Sequence, residues 1–133
     1  MANLQTVQAI YQAFGQGDIP SILEKLAEDV NWDAHSPIPE VPWMTPRKGR
    51  SEVPLFFQSL AEAQFKVFDP HTFFENERQV LALVDLEVIF PTSPKTYHVR
   101  NEVHLWTFNA SGQVSDFEHI VDTLLHVQAH RGE

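Results

Sequence analysis

Apolar residues open the chain at helical spacing. Leu4, Val7, Ile10, Tyr11 and Phe14 recur every three or four positions after a cap at Asn3, and Gly15 and Gly17 stop the run. Asp18 caps a second predicted helix, with Pro20 in its first turn and Ile22, Leu23 and Leu26 along one face. Residues 30–35, "VNWDAH", read as a short strand. The next eleven residues, 36–46, hold four prolines, a density that forbids both helix and central strand. Ser51 opens a third helix whose buried stripe is Val53, Phe56, Phe57 and Leu60.

The second half changes period. "AQFKVFDPHTFF" reads as a strand region broken at Pro70, and residues 79–90, "QVLALVDLEVIF", as a long apolar strand. "PTSPK" turns the chain into "TYHVRNEVHLWTF", and "NASG" turns it into "QVSDFEHIVDTLLHVQ". Helices gathered early and strands late predict an α+β fold, a curved sheet wrapped against helices with a pocket between them.

A chain of 133 residues, 43% of them hydrophobic, suits a single domain (1–133) with a real core. Nine Lys plus Arg against eighteen Asp plus Glu give a formal charge of -9, which repels phosphate backbones and anionic lipid. Nucleic-acid and membrane partners are therefore not expected. There is no cysteine, so disulfides, thiolate catalysis and Cys–zinc sites drop out. "MANLQTVQAIYQ" lacks the basic start and apolar run of a secretion signal, which predicts a soluble cytoplasmic protein.

Strand alternation places the candidate chemistry. His104, Trp106 and Phe108 share a face, so His104 is either a core histidine satisfied by a neighbour or a pocket group. Asp85 and Glu87 sit together on one face of the long strand, about 6.5–7 Å apart at Cα. They are either an acid/base pair or part of a solvated or dimer-facing side, and the apolar companion face is the better core. Near the end, Asp116, Glu118, Ile120 and Asp122 alternate against Phe117, His119 and Val121. Asp122 either caps "TLLHV" as a short helix or is a catalytic carboxylate; both readings stay open. Trp32 and His35 flank the proline-rich loop and Trp43 lies inside it, placed to line a pocket or close the core. His126 and His130 have metal-ligand spacing on a helix, but without a third ligand nearby they read as a solvated tail. No phosphate loop, serine-hydrolase elbow or zincin motif is present.

Three segments carry a resemblance. "VQAIYQAFGQGDIPSILEKLAEDVNW" is similar to the helical opening of the nuclear transport factor two superfamily. "PWMTPRKGRSEVPLFFQSLAE" resembles the third helix of its SnoaL-like and ketosteroid-isomerase-like branches, and "HLWTFNASGQVSDFEHIVDTLL" their closing hairpin. The resemblance implies a conical barrel, a strongly curved and mainly antiparallel sheet around three N-terminal helices with an internal apolar pocket, commonly as a homodimer. It also implies that Asp122, in the closing "V-D-T", is an acid/base group, as in SnoaL-like cyclases. Asp85 matches the aspartate of the Arg-x-Asp strand motif of limonene-epoxide hydrolases, but Leu83 replaces the arginine. Against ketosteroid isomerase, the tyrosine falls on Ile10 beside Tyr11, the base on Ala34 and the donor aspartate on His104, so none of the three is kept.

The expectation is therefore a SnoaL-like protein doing acid/base chemistry on a small lipophilic substrate, without metal or organic cofactor. Asp122 would be base and then acid, and His104 the oxyanion donor or relay. Trp32, Trp43, Phe56, Trp106 and Tyr11 would wall the pocket, with His35 at its mouth and Asp85, Glu87 and His119 as secondary candidates. The alternative is a non-catalytic binder of a lipophilic molecule.

Overall fold

The computed structural model describes residues 2–133. Helix α1 (Ala2–Gly15) buries Val7, Ile10 and Tyr11 of the predicted stripe together with Ala13, while Leu4 and Phe14 pack at the edge of the core. Helix α2 (Ile19–Leu23) starts where the Asp18 carboxylate accepts the Ser21 backbone N–H. It ends sooner than the apolar pattern implies, because Leu26 already begins strand β1 (Leu26–Trp32). The proline-rich segment carries one 3-10 turn (Pro42–Met44) and leads into β2 (Arg47–Lys48) and helix α3 (Val53–Ser59).

Four strands follow: β3 (Gln64–Glu75), β4 (Gln79–Ile89), β5 (Thr96–Phe108) and β6 (Val114–Ile120). Helix α4 (Thr123–Arg131) closes the chain. Pro70 does not break β3. That strand lies at the sheet edge, where a missing N–H is tolerated, and a register shift between Pro70 and Thr72 absorbs the distortion.

The six strands run in the order β2-β1-β6-β5-β4-β3, antiparallel except for the β1–β6 pair. The sheet is open, with β2 and β3 at its edges, so helices complete the cone in place of strand closure. Cross-strand pairing sorts the faces. Val80 opposes Trp106, Ala82 opposes His104 and Val84 opposes Glu102, while His104 and Trp106 oppose His119 and Phe117 on the other side. These residues form the inner face, against which α1 and α3 pack. Leu81 with Leu105, and Leu83 with Val103, take the outer face together with Asp85, Glu87 and the exposed Ile120. The apolar face of β4 is thus the core face, as its composition implies. No helix among the described residues is long and apolar enough to cross a membrane.

Helix α4 ends at Gly132 in the left-handed region, where a Cβ would lie 2.6 Å from the Thr92 carbonyl oxygen. Gly112 shares the left-handed backbone but has open space around it. Gly112→Ala is expected to cost roughly 1–2 kcal/mol from backbone strain alone. Gly132→Ala should cost more, and the order of the two urea-unfolding midpoints checks this.

Candidate functional site

Between the inner sheet face, α1, α3 and α4 lies a hollow of about 80 Å³. Aromatic rings make most of its wall, among them Tyr11, Trp32, Trp43, Phe56, Trp106 and Phe117. Its polar side chains are Glu102, His104, His119 and His126, and Tyr11, Trp32 and Trp43 each add one polar atom to an aromatic ring.

One hydrogen-bonded chain crosses this wall. Trp43 Nε1–H donates to His126 Nδ1 at 2.8 Å, and His126 Nε2 lies 2.9 Å from Glu102 Oε1. The other carboxylate oxygen, Glu102 Oε2, lies 2.9 Å from His104 Nε2. His104 Nδ1 is 2.8 Å from the Tyr11 hydroxyl, which accepts from Trp106 Nε1–H at 3.0 Å. Proton positions follow from chemistry at the ends. An indole N–H only donates, so His126 Nδ1 must accept and its proton sits on Nε2. An ionised carboxylate only accepts, so both imidazoles donate to Glu102. Burial favours the neutral form of His104, whose Nδ1 then accepts the Tyr11 O–H.

The electrostatics agree with this assignment. Burial pushes the Glu102 carboxyl up, but the bonds from His104 and His126 outweigh it and hold the group well below the usual carboxylate range. Burial dominates at His104 and lowers it, against the raising effect of Glu102. Burial also raises Tyr11 well above an ordinary phenol, so its hydroxyl stays protonated.

A second acid–imidazole pair stands beside the first. Asp33 directly follows β1 with φ 53, a left-handed conformation that Asp tolerates better than most residues, and is almost wholly buried. Its carboxylate takes the His119 backbone N–H at 2.8 Å through Oδ1 and the ring Nδ1–H at 2.7 Å through Oδ2. Burial alone would lower His119, but the charge and hydrogen bond of Asp33, with the charge of Glu102, raise it above an ordinary imidazole. Asp33 occupies Nδ1, and Nε2 has no hydrogen-bond partner among the described residues. The rings of His119 and His104 are 5.0 Å apart, edge to face.

Trp32 supplies the remaining unsatisfied group. Its ring packs against Phe56, Phe57, Trp106 and Phe117. Its Nε1–H is the one buried side-chain polar atom with no partner among the described residues. Such a donor in an apolar setting is costly without a ligand or water to accept from it. For metals, Glu102, His104 and His119 offer ligand atoms within 4.8 Å of one another. Both nitrogens of His104 and both oxygens of Glu102 already have partners, so only His119 Nε2 presents a free lone pair.

The expected residues divide. Tyr11, Trp32, Trp43, Phe56, Trp106, His104 and His119 all line the hollow. Asp122 does not. It is exposed and caps α4, its Oδ1 accepting the Leu125 N–H at 3.1 Å, so the capping alternative holds and the carboxylate has no place in the wall. His35 is exposed and lies off the wall. Asp85 and Glu87 face outward; Asp85 meets His71 and the Asn101 N–H, and Glu87 approaches His98. His126, expected in a solvated tail, is buried in the network. Glu102 was legible, since alternation puts it on the face of His104 and Trp106. Asp33 had no comparable signal, because its reach to His119 spans 86 positions and depends on the parallel β1–β6 pairing.

These features define an α+β domain with an open sheet and a hydrogen-bonded, largely aromatic interior. The SnoaL-like domain model matches residues 7–117, and the chain belongs to that family. No curated protein matches it by sequence. Among solved structures it is similar to an NTF2-like protein of unknown function from Burkholderia pseudomallei K96243, with 24% identity, 97% of each chain covered and a TM-score of 0.82. It is also similar to TerC co-crystallised with polyporic acid, with 21% identity over 99% of this chain and 100% of that one, TM-score 0.77. A third is a protein proposed as a polyketide cyclase from Xanthomonas campestris pv. campestris, with 20% identity over 97% and 96% of the chains, TM-score 0.73. At these identities the likeness concerns the fold.

The two imidazoles should titrate in opposite directions from about 6.5, His119 above it and His104 below it. The raised His119 stabilises the fold fully below that pH and loses its contribution as pH rises through its native value. The depressed His104 costs stability as pH falls below the same reference. NMR titration of the ring Hε1 resonances reads both directions, and Asp33→Asn should pull the His119 midpoint down.

Proposed function

We propose that this chain is an enzyme performing general acid–base chemistry on a small lipophilic substrate, with His119 in place of Asp122 as the proton-transfer group. The observation that carries the reading is the Asp33–His119 pair. A carboxylate holds one ring nitrogen and leaves Nε2 unpartnered in a side chain that lines an apolar hollow. A carboxylate behind an imidazole fixes its tautomer and favours the imidazolium formed on proton uptake.

The reaction class that fits is proton abstraction next to a carbonyl. His119 Nε2 takes the proton, negative charge develops on the carbonyl oxygen, and the unpaired Trp32 N–H is the available donor for it. The imidazolium then returns the proton to another position of the same molecule, an isomerase- or cyclase-type outcome that consumes no co-reactant. The Glu102 network orients His104 and Tyr11 as a rigid wall beside the reacting group.

The test is α-proton exchange of acetophenone in D2O, followed by NMR. His119→Gln should slow the exchange by about 10²-fold or more while the ketone still binds. Asp122→Asn should leave it unchanged. Equal exchange by wild type and His119→Gln would overturn the assignment, and ligand binding without any exchange would favour the binder.

We also propose a homodimer formed through the outer sheet face. Leu81, Leu83, Val103, Leu105 and the exposed Ile120 lie side by side there across β4, β5 and β6, an apolar strip of the kind that association covers. Light scattering should give twice the 15.2 kDa chain mass, and Leu105→Glu should return it to one.

A further inference from the structure

We propose that the hollow selects its ligand by charge: uncharged aryl ketones enter, carboxylates of the same shape are turned away, and Glu102 sets this preference. The inference rests on the reading of the hollow as a ligand site but not on turnover there.

The charges facing the interior can be counted. Among the described residues, no side chain lining the hollow is Lys or Arg. His104 and His126 act on Glu102 as neutral donors, because Tyr11 and Trp43 each place a hydrogen on the opposite ring nitrogen. They satisfy the carboxylate oxygens without cancelling the charge. His119, when protonated, is matched by Asp33 at 2.7 Å. The site therefore keeps one negative charge with His119 protonated and two with it neutral. In both states one of these charges sits on Glu102, a carboxylate only 5% exposed, where water screens it poorly.

A carboxylate ligand would shed its hydration and meet a like charge with no cation to receive it. The protonated His119 is no substitute, since the charge it would offer is already committed to Asp33. An uncharged aryl ketone meets none of these penalties. Its ring has the faces and edges of Trp32, Phe56, Trp106 and Phe117 to pack on, and its carbonyl is the acceptor that the Trp32 N–H lacks. Two unit charges roughly 6 Å apart at an effective dielectric near 20 weaken binding by about a hundredfold, so a factor of ten is a cautious threshold.

Acetophenone, benzamide and benzoate share one outline, and only benzoate is charged. Their dissociation constants at pH 8 can be read from shifts of the Trp32 indole and His119 ring resonances. Acetophenone and benzamide should bind at least tenfold more tightly than benzoate. In Glu102→Gln the gap should fall several-fold, because the charge leaves while the side-chain outline stays. A wild-type gap below tenfold, no ketone binding at these two side chains, or an unchanged gap in a folded Glu102→Gln protein would each overturn the proposal. Should that variant not fold, the wild-type comparison still decides. Ketone binding with charge discrimination but no α-proton exchange would remove the catalytic role of His119 and leave this inference standing.

Discussion

A carboxylate sealed inside an aromatic interior must be satisfied on both oxygens, and Glu102 is satisfied by two imidazoles on separate elements. His104 stands two residues along β5, and His126 comes from α4. Each imidazole in turn needs its second nitrogen partnered. Tyr11 from α1 and Trp43 from the proline-rich loop meet that need, and Trp106 completes the hydroxyl of Tyr11. One buried charge thereby ties four distant stretches of chain into a single arrangement. Removing any member strands a neighbour's donor or acceptor in apolar surroundings, a loss of about 1–3 kcal/mol per group and more for a charged one.

The same wall holds two acid–imidazole pairs with different outcomes. Glu102 shares its charge between two neutral rings, and burial keeps His104 deprotonated. Asp33 gives both oxygens to one residue, and its undivided charge raises His119. Rings 5.0 Å apart are thus pushed to opposite sides of the ordinary imidazole value. Separation of this kind between neighbouring titratable groups divides acid and base roles within one site. His119, half-buried, is the imidazole of the three whose Nε2 has no hydrogen-bond partner among the described residues. His104, bonded at both nitrogens, is built to stay as it is.

Local patterns in the sequence carried the fold well. Helical spacing in α1 and alternation in β4 and β5 identify the buried faces, and those faces meet in the core. Alternation also delivered Trp106 and His104 to the hollow, and it contained Glu102 for the same reason. What it did not contain was long-range pairing. Asp33 reaches His119 only because β1 runs parallel beside β6, and His126 reaches Glu102 only because α4 folds back over β5. Asp122 was ambiguous for a physical reason. A strand end followed by a short helix places a carboxylate where it can cap backbone N–H groups or enter a pocket, and sequence spacing is the same for both. Pro70 misled because its effect depends on whether a strand is central or at an edge, which only the strand order reveals.

A fold shared at 20–24% identity by proteins of different description constrains the container and leaves the contents to individual side chains. In this chain the hollow is lined by aromatic and aliphatic side chains, which offer packing surface but no directional bonds. Directional bonds are left to the few polar atoms that still have bonding capacity. The network bonds both nitrogens of His104 and His126 and both oxygens of Glu102. That leaves His119 Nε2 and the Trp32 N–H, one acceptor and one donor, without a partner among the described residues. Saturating the rest of the wall therefore matters to the fold itself, because every further unsatisfied group in these apolar surroundings would carry its own desolvation cost.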